Sequence, residues 1–173
     1  MSENKPASHD LSADVVFALD TLVRMVERAS TDLRASVLLL SDDGRLLDGA
    51  APNLPDAYRQ AINGLPIGPE EGSCGTAAYS NQRVVVTDIA TDPRWRKYKD
   101  LALGHGLAAC WSQPIRDMTG RVLGTFALYY GTPREPTAVE LDFIEAAAAR
   151  AGVILQRARA GAGRAELVAA AGG

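Results

Sequence analysis

Two stretches of the chain share one pattern, and that pattern constrains the fold more than any other feature. An apolar run enters a turn at Asp42-Asp43-Gly44 and restarts at Arg45-Leu46-Leu47; the form returns from Ile115 through Asp117 and Gly120 to Arg121-Val122-Leu123. Glycine takes a positive φ there without a Cβ penalty, so each stretch predicts a β-hairpin. The first pairs a strand over Ala35–Ser41 with one over Arg45–Gly49. Its Val37–Leu40 core is continuously apolar, which predicts burial on both faces. The second pairs Leu107–Ile115 with Arg121–Tyr130, a segment rich in β-branched and aromatic residues. Hairpin chemistry accounts for the likeness without an internal duplication.

Long amphipathic helices bracket the strands. Leu11, Val15, Ala18, Leu22, Met25 and Ala29 step by three and four, with Val16, Leu19, Val23 and Val26 as a second stripe. Near the other end, Thr137 with Glu140 forms a capping box. The helix it opens runs to about Ala160, with Leu141, Ile144, Ala148, Ala151, Leu155 and Ala158 on one stripe and Phe143, Ala147 and Ile154 on another. On the first helix, two adjacent stripes fit either a helix bedded deep in its own domain or one stripe packing on a sheet with the other meeting a second chain.

Between the hairpins the elements are short. Asp56–Asn63 reads as a short helix, Gly64–Gly72 as loop, and Cys74–Ser80 as a helix capped by Ser73. Arg83–Val86 reads as a strand and Thr87–Pro93 as loop. Asp92 caps a helix from Pro93 to about Leu103, stopped by Gly104–Gly106. Hairpins at both ends of the strand set and long helices outside them predict an α+β fold, with an antiparallel sheet and the terminal helices grouped on one face.

A length of 173 residues predicts one domain. Residues 11–160 form it, between a disordered polar tail over 1–10 and a frayed Ala/Gly-rich tail over 161–173. A net charge of −3 leaves no basic excess to drive phosphate binding, which argues against nucleic acid as a partner. No apolar run approaches the ~20 residues that span a bilayer, and the N-terminus has no apolar signal core, so no membrane is expected and a cytoplasmic location is. Two cysteines, Cys74 and Cys110, are too few for a disulfide scaffold. No Cys/His spacing suggests a metal site, and no phosphate-cradling, GxSxG or HExxH motif occurs.

Five stretches, in this order, resemble a GAF domain: Ala35-Ser-Val-Leu-Leu-Leu-Ser-Asp-Asp-Gly44, Gly72-Ser-Cys-Gly-Thr-Ala-Ala-Tyr79, Val84-Val-Val-Thr-Asp-Ile-Ala-Thr-Asp-Pro93, Gly106-Leu-Ala-Ala-Cys-Trp-Ser-Gln-Pro-Ile115 and Gly120-Arg-Val-Leu-Gly-Thr-Phe-Ala-Leu-Tyr-Tyr130. The likeness covers roughly Ala13–Arg159 and is strongest to modules attached to bacterial histidine kinases and cyclic-di-nucleotide signalling proteins. It implies a central antiparallel sheet with the terminal helices on one face, joining two copies into a dimer. On the other face, loops and short helices would cover a ligand pocket.

Strand alternation places Cys110 and Ser112 on one face of their strand, and Thr125, Ala127 and Tyr129 share a face of the next. Val122, Gly124, Phe126 and Leu128 share the opposite, apolar face and suit the helices. The pocket floor then carries hydroxyls and no carboxylate, fit for a small, partly apolar ligand. The cover supplies Trp95, Tyr98, Asp88 and His105.

Three functions follow. The first is a non-catalytic sensory domain that binds an unidentified small molecule, needs no cofactor and signals through its terminal helices to a separate histidine kinase or transcription regulator. The second is a thiol enzyme like free-methionine-(R)-sulfoxide reductase, a GAF branch, using Cys74 or Cys110; this sequence lacks the carboxylates that enzyme carries on its late strands. The third is a dimerisation module with an empty core, in which the terminal helices do all the work. A bilin reading rests on Cys110 with His105 and a haem reading on His105 alone, whose place between two glycines suits a turn.

Overall fold

The computed structural model describes residues 11–171. A first helix, α1 (Ala13–Glu27), leads into the hairpin of β1 (Leu33–Leu40) and β2 (Arg45–Ala50). Then come α2 (Asp56–Ile62), the two-residue β3 (Leu65–Pro66), α3 (Gly72–Ser80) and β4 (Val84–Val86). A single 3-10 turn at Pro93–Trp95 precedes α4 (Lys99–Gly104), and β5 (Ala109–Arg116), β6 (Val122–Tyr130) and α5 (Ala138–Ala171) complete the chain. The six strands form one antiparallel sheet in the order β3-β2-β1-β6-β5-β4. The hairpins lie side by side, and β6 and β1 sit at the centre. The expected α+β architecture stands.

Each face of the sheet carries its own core. Ala35, Val37, Leu39, Trp111, Phe126, Leu128 and Tyr130 face α1 and α5, where Leu19, Val23, Ile144, Ala148 and Ala151 meet them. The apolar side of β6 therefore packs on the helices, as the alternation requires, with one exception. Register slips between Ile115 and Arg116, which pair with Gly124 and Val122 and leave Leu123 as the extra residue of a β-bulge. Beyond it the faces exchange: Leu123 joins the helix-side core, and Val122 packs toward the other side.

Two glycines set close approaches. A Cβ at Gly124 would stand 2.1 Å from the Leu38 carbonyl oxygen, and one at Gly152 would stand 2.4 Å from that of Arg116. The second lets α5 lie directly on the end of β5. The capping box of α5 forms, with the Glu140 amide donating to Thr137 Oγ1 at 3.2 Å and the Thr137 amide donating to Glu140 Oε2 at 2.9 Å.

Three local expectations need correction. The helix expected over Pro93–Leu103 is broken: the 3-10 turn ends at Trp95, and Tyr98 precedes α4 with φ −121°. Ser73 does not cap α3, because its hydroxyl is used across the core. And α5 continues to Ala171 instead of ending near Ala160. Its last segment is dominated by alanine, the strongest helix former, which sustains the helix through Gly161 and Gly163. Residues 1–10, expected to be a disordered tail, lie outside the described residues.

Candidate functional site

The sheet face opposite the terminal helices carries the polar cluster predicted for it. Cross-strand pairing aligns Cys110 with Tyr129, Ser112 with Ala127, and Ser36 of β1 with Ala127 from the other side. Thr125 pairs with Leu38. All these side chains are buried. The Ser36, Ser112 and Thr125 hydroxyls have no hydrogen-bond partner. Three orphan hydroxyls in one cluster are unusual, since a buried polar group left unpaired costs about 1–3 kcal/mol.

Helix α3 lies across β5 and β6 and occupies most of the space where a roomy pocket was expected. Its Gly72-Ser-Cys-Gly-Thr-Ala-Ala run lets it approach closely. At Gly75, a Cβ would stand 3.2 Å from the Pro66 carbonyl oxygen. Gly72 has φ +64°, and the Trp95 ring passes 3.7 Å from where its Cβ would be. Ser73 Oγ donates to the Cys110 carbonyl oxygen at 2.9 Å and accepts the Trp95 indole N–H at 3.0 Å. One serine thereby joins cover, helix and sheet.

The free volume left on this side is a cavity of about 30 Å³. Its walls include Leu38, Tyr58, Cys74, Trp95, Tyr98 and Tyr129. A cavity needs ~10–15 Å³ on this measure to hold one water, so the guest is limited to about two heavy atoms. Glu71 stands at its edge and accepts hydrogen bonds from the Tyr98 hydroxyl and the Lys97 ammonium. Burial raises the Glu71 carboxyl, but the bonds from Lys97 and Tyr98 outweigh it and hold the group below the usual range. Burial and the Glu71 carboxylate push the Tyr98 phenol up.

Cys74 reaches the floor from α3. Its sulfur is 3.8 Å from the Tyr129 hydroxyl, and both cysteines are free thiols. Cys110 lowers the Cys74 thiol most, burial opposes this, and the polar Ser112, Thr125 and Tyr129 side chains lower it further. Together they bring Cys74 down to about 7. Cys110 moves well upward, through burial first and then the neighbouring Cys74. Burial also raises Tyr129 and Tyr58, whose rings meet edge to face at 6.0 Å.

The residues expected at the site divide into three groups. Trp95, Tyr98 and Tyr129 line the cavity, and Cys110, Ser112, Thr125 and Ala127 form the floor beneath α3. Asp88 and His105 do neither. Asp88 closes its own turn, accepting the Ala90 amide at 2.9 Å and the Thr91 hydroxyl at 3.2 Å. His105 turns back on α4, with Nδ1 2.8 Å from the Leu101 carbonyl oxygen, and packs beside Tyr58. The residues missed are Ser36, Tyr58, Glu71 and Ser73; Cys74, considered from sequence only as a thiol nucleophile, lies at their centre. Ser36 had a signal: a hydroxyl inside an otherwise apolar strand. Glu71 had none.

A family model for the GAF domain matches residues 10–156, and the chain belongs to that family. It is 38% identical over 150 residues to the methyl sulfide methyltransferase-associated sensor of Methanosarcina acetivorans. That match takes in 86% of this chain and 15% of the relative, so the chain corresponds to a small part of that protein. Among solved structures, a domain ascribed to a two-component sensor histidine kinase protein of Sinorhizobium meliloti aligns with TM-score 0.70 and 25% identity, over 84% of this chain and 93% of that one. The type II free methionine-R-sulfoxide reductase of Thermoplasma acidophilum aligns with TM-score 0.68 over 86% of this chain and 96% of that one, but at 12% identity, which is likeness of fold alone. No helix among the described residues is long and apolar enough to cross a membrane.

Proposed function

We propose that this chain is a non-catalytic sensory domain in which the state of the sheet-face site biases the packing of the cover and, through β5 and β6, the terminal helices. One observation carries the reading: a buried cluster of two thiols and three unpartnered hydroxyls lies on the central strands, opposite α1 and α5. The polar points that hold the cover include Trp95 to Ser73, Glu71 to Tyr98 and Lys97, Arg94 to the Val85 carbonyl oxygen and Arg96 to Glu70. The likeness to a protein named as a sensor supports the same reading. Any ligand larger than two or three heavy atoms must displace the Trp95–Tyr98 segment, because the cavity is closed to it as it stands. The floor has no carboxylate, which disfavours sulfoxide reduction.

The output runs through a homodimer. Val16, Phe17 and Met25 on α1 and Val139, Phe143 and Val153 on α5 are exposed apolar side chains on the helices that would carry the signal. A histidine kinase or transcription regulator would receive it. The test is native mass spectrometry of the full chain as purified, followed by thermal denaturation with any compound found. A co-purifying compound that raises the melting temperature on re-addition supports a ligand-gated domain, since binding only the native state stabilises it by mass action. Protein that carries no guest, and is stabilised by none of a broad set of metabolites, refutes it.

A further inference from the structure

The geometry points to Cys74 and Cys110 as a hydroperoxide-reactive dithiol, Cys74 being the nucleophile toward hydrogen peroxide and Cys110 the thiol that resolves the oxidised sulfur into an intramolecular disulfide. This deepens the sensory reading and rests on it for its consequence, though not for its chemistry.

Three observations meet at Cys74. It lines the cavity and retains 8% of its surface, whereas Cys110 is fully buried behind it. The cavity of about 30 Å³ takes a molecule of two heavy atoms, the size of hydrogen peroxide, and has no room for a metabolite such as an amino-acid sulfoxide. The Cys74 sulfur stands 3.8 Å from the Tyr129 hydroxyl, Tyr129 is the cross-strand neighbour of Cys110, and Ser73 beside Cys74 donates to the Cys110 carbonyl oxygen at 2.9 Å, so the two cysteines belong to one buried cluster. Neutral donors around a sulfur favour its thiolate and solvate the oxygen that departs from it, and the thiolate is the reactive form. The lowered pKa of the Cys74 thiol agrees with this arrangement.

The chemistry balances as follows. The Cys74 thiolate attacks one peroxide oxygen; an S–O bond forms, the O–O bond breaks, and hydroxide leaves and takes up a proton as water. The sulfur loses two electrons to the peroxide and becomes a sulfenic acid. The Cys110 thiol then gives up its proton and attacks the Cys74 sulfur. An S–S bond forms, the S–O bond breaks, and a second water leaves. Dithiol and peroxide become disulfide and two waters, and a thiol reductant restores the pair. Because Ser73 holds the Cys110 carbonyl oxygen and the Trp95 indole, drawing α3 against β5 alters the anchor of the cover.

The experiment uses the full chain, reduced, desalted and treated with equimolar hydrogen peroxide. The expected product has lost the mass of two hydrogens, resists alkylation after denaturation, and yields a peptide joining Cys74 to Cys110. With dimedone present, Cys110→Ser is expected to carry the adduct on Cys74, and Cys74→Ser to carry none. A control on the unaltered chain does not depend on either variant folding: oxidation is expected to be at least tenfold faster in the folded protein than in urea, although urea exposes both thiols. Tyr129→Phe is expected to slow it several-fold. Thiols that stay alkylatable, a dimedone adduct on Cys110 in Cys74→Ser, or equal rates folded and unfolded would each overturn the proposal. Hydrogen exchange in α1 and α5 separates the two readings. Disulfide formation with altered exchange supports both, and disulfide formation with unaltered exchange upholds the thiol chemistry while refuting the sensory role.

Discussion

Trp95 is the point at which closure of the site can be measured. Its ring is 4% exposed and lines the cavity, and its indole N–H donates to Ser73 Oγ at 3.0 Å. Trp95→Phe removes that bond but keeps an aromatic ring, and Ser73 still donates to the Cys110 carbonyl oxygen. The expected cost is about 0.5–1.5 kcal/mol, the net worth of one hydrogen bond. Trp95→Ala also empties the ring's volume, for which about 3–5 kcal/mol is expected. Each ~40 Å³ that fails to collapse accounts for about 1 kcal/mol of that, at ~24 cal/mol per Å³. At roughly 2–4 °C per kcal/mol for a domain of this size, Trp95→Phe should lower the melting temperature by about 1–6 °C and Trp95→Ala by about 6–20 °C. Urea unfolding with the slope m held as a control gives the free energies directly. Indole should raise the melting temperature of Trp95→Ala and leave that of the parent unchanged, since only the variant offers the vacated space. If Trp95→Ala stays within about 1 kcal/mol of the parent, or if the two variants cost the same, the ring is not what closes the cavity.

Other consequences can be checked by substitution. Gly152→Ala places a Cβ against the Arg116 carbonyl oxygen, so α5 must lift from β5; a loss of about 1–3 kcal/mol in urea unfolding is expected, and no loss would mean that the contact is not tight. Phe17→Glu, at a side chain 72% exposed, should give monomer on sizing, whereas an unchanged elution volume counts against a dimer built on this face of α1. Glu27 accepts the Ala35 amide at 2.9 Å and the Asn53 amide group, so Glu27→Ala should cost about 1–3 kcal/mol by leaving a buried donor unpaired. The hydrogen bond from the Arg94 side chain, against some burial, holds the Asp92 carboxyl below its ordinary value. A carboxyl depressed in the fold contributes full stability above its unfolded pKa and loses it as pH falls through the folded one. Asp92→Asn should therefore flatten the acid limb of the stability curve and leave its slope near neutral pH unchanged; an acid limb identical to the parent's would refute this.

The fold was legible because its signals are periodic and local. Turn chemistry at Gly44 and Gly120 marked both hairpins, and alternation along β6 assigned Phe126 and Leu128 to the helices and Ala127 and Tyr129 to the site. Where alternation failed, at Val122 and Leu123, a one-residue bulge was responsible, and a bulge has no period to read. The site was legible by halves. Strand residues such as Cys110 and Thr125 could be placed because a sheet fixes direction two residues at a time. Residues on irregular backbone could not. Asp88 and His105 carry chemistry by type, yet each spends its polar atoms on its own turn or helix.

The size of the cavity was the least legible quantity, for a reason visible in α3. Its glycines and alanines bring the helix backbone onto the sheet and leave little space between them. Small residues on a covering helix therefore predict a near approach, not a large pocket, unless a bulky neighbour holds the helix away. Here the bulky neighbour, Trp95, lies along the helix at Gly72 and completes the closure. The same packing places the Cys74 sulfur among donors that water cannot reach in bulk. Short helices in contact with the sheet, a filled floor and a reactive thiol are thus one arrangement: the approach that excludes a large ligand is what assembles the environment of Cys74.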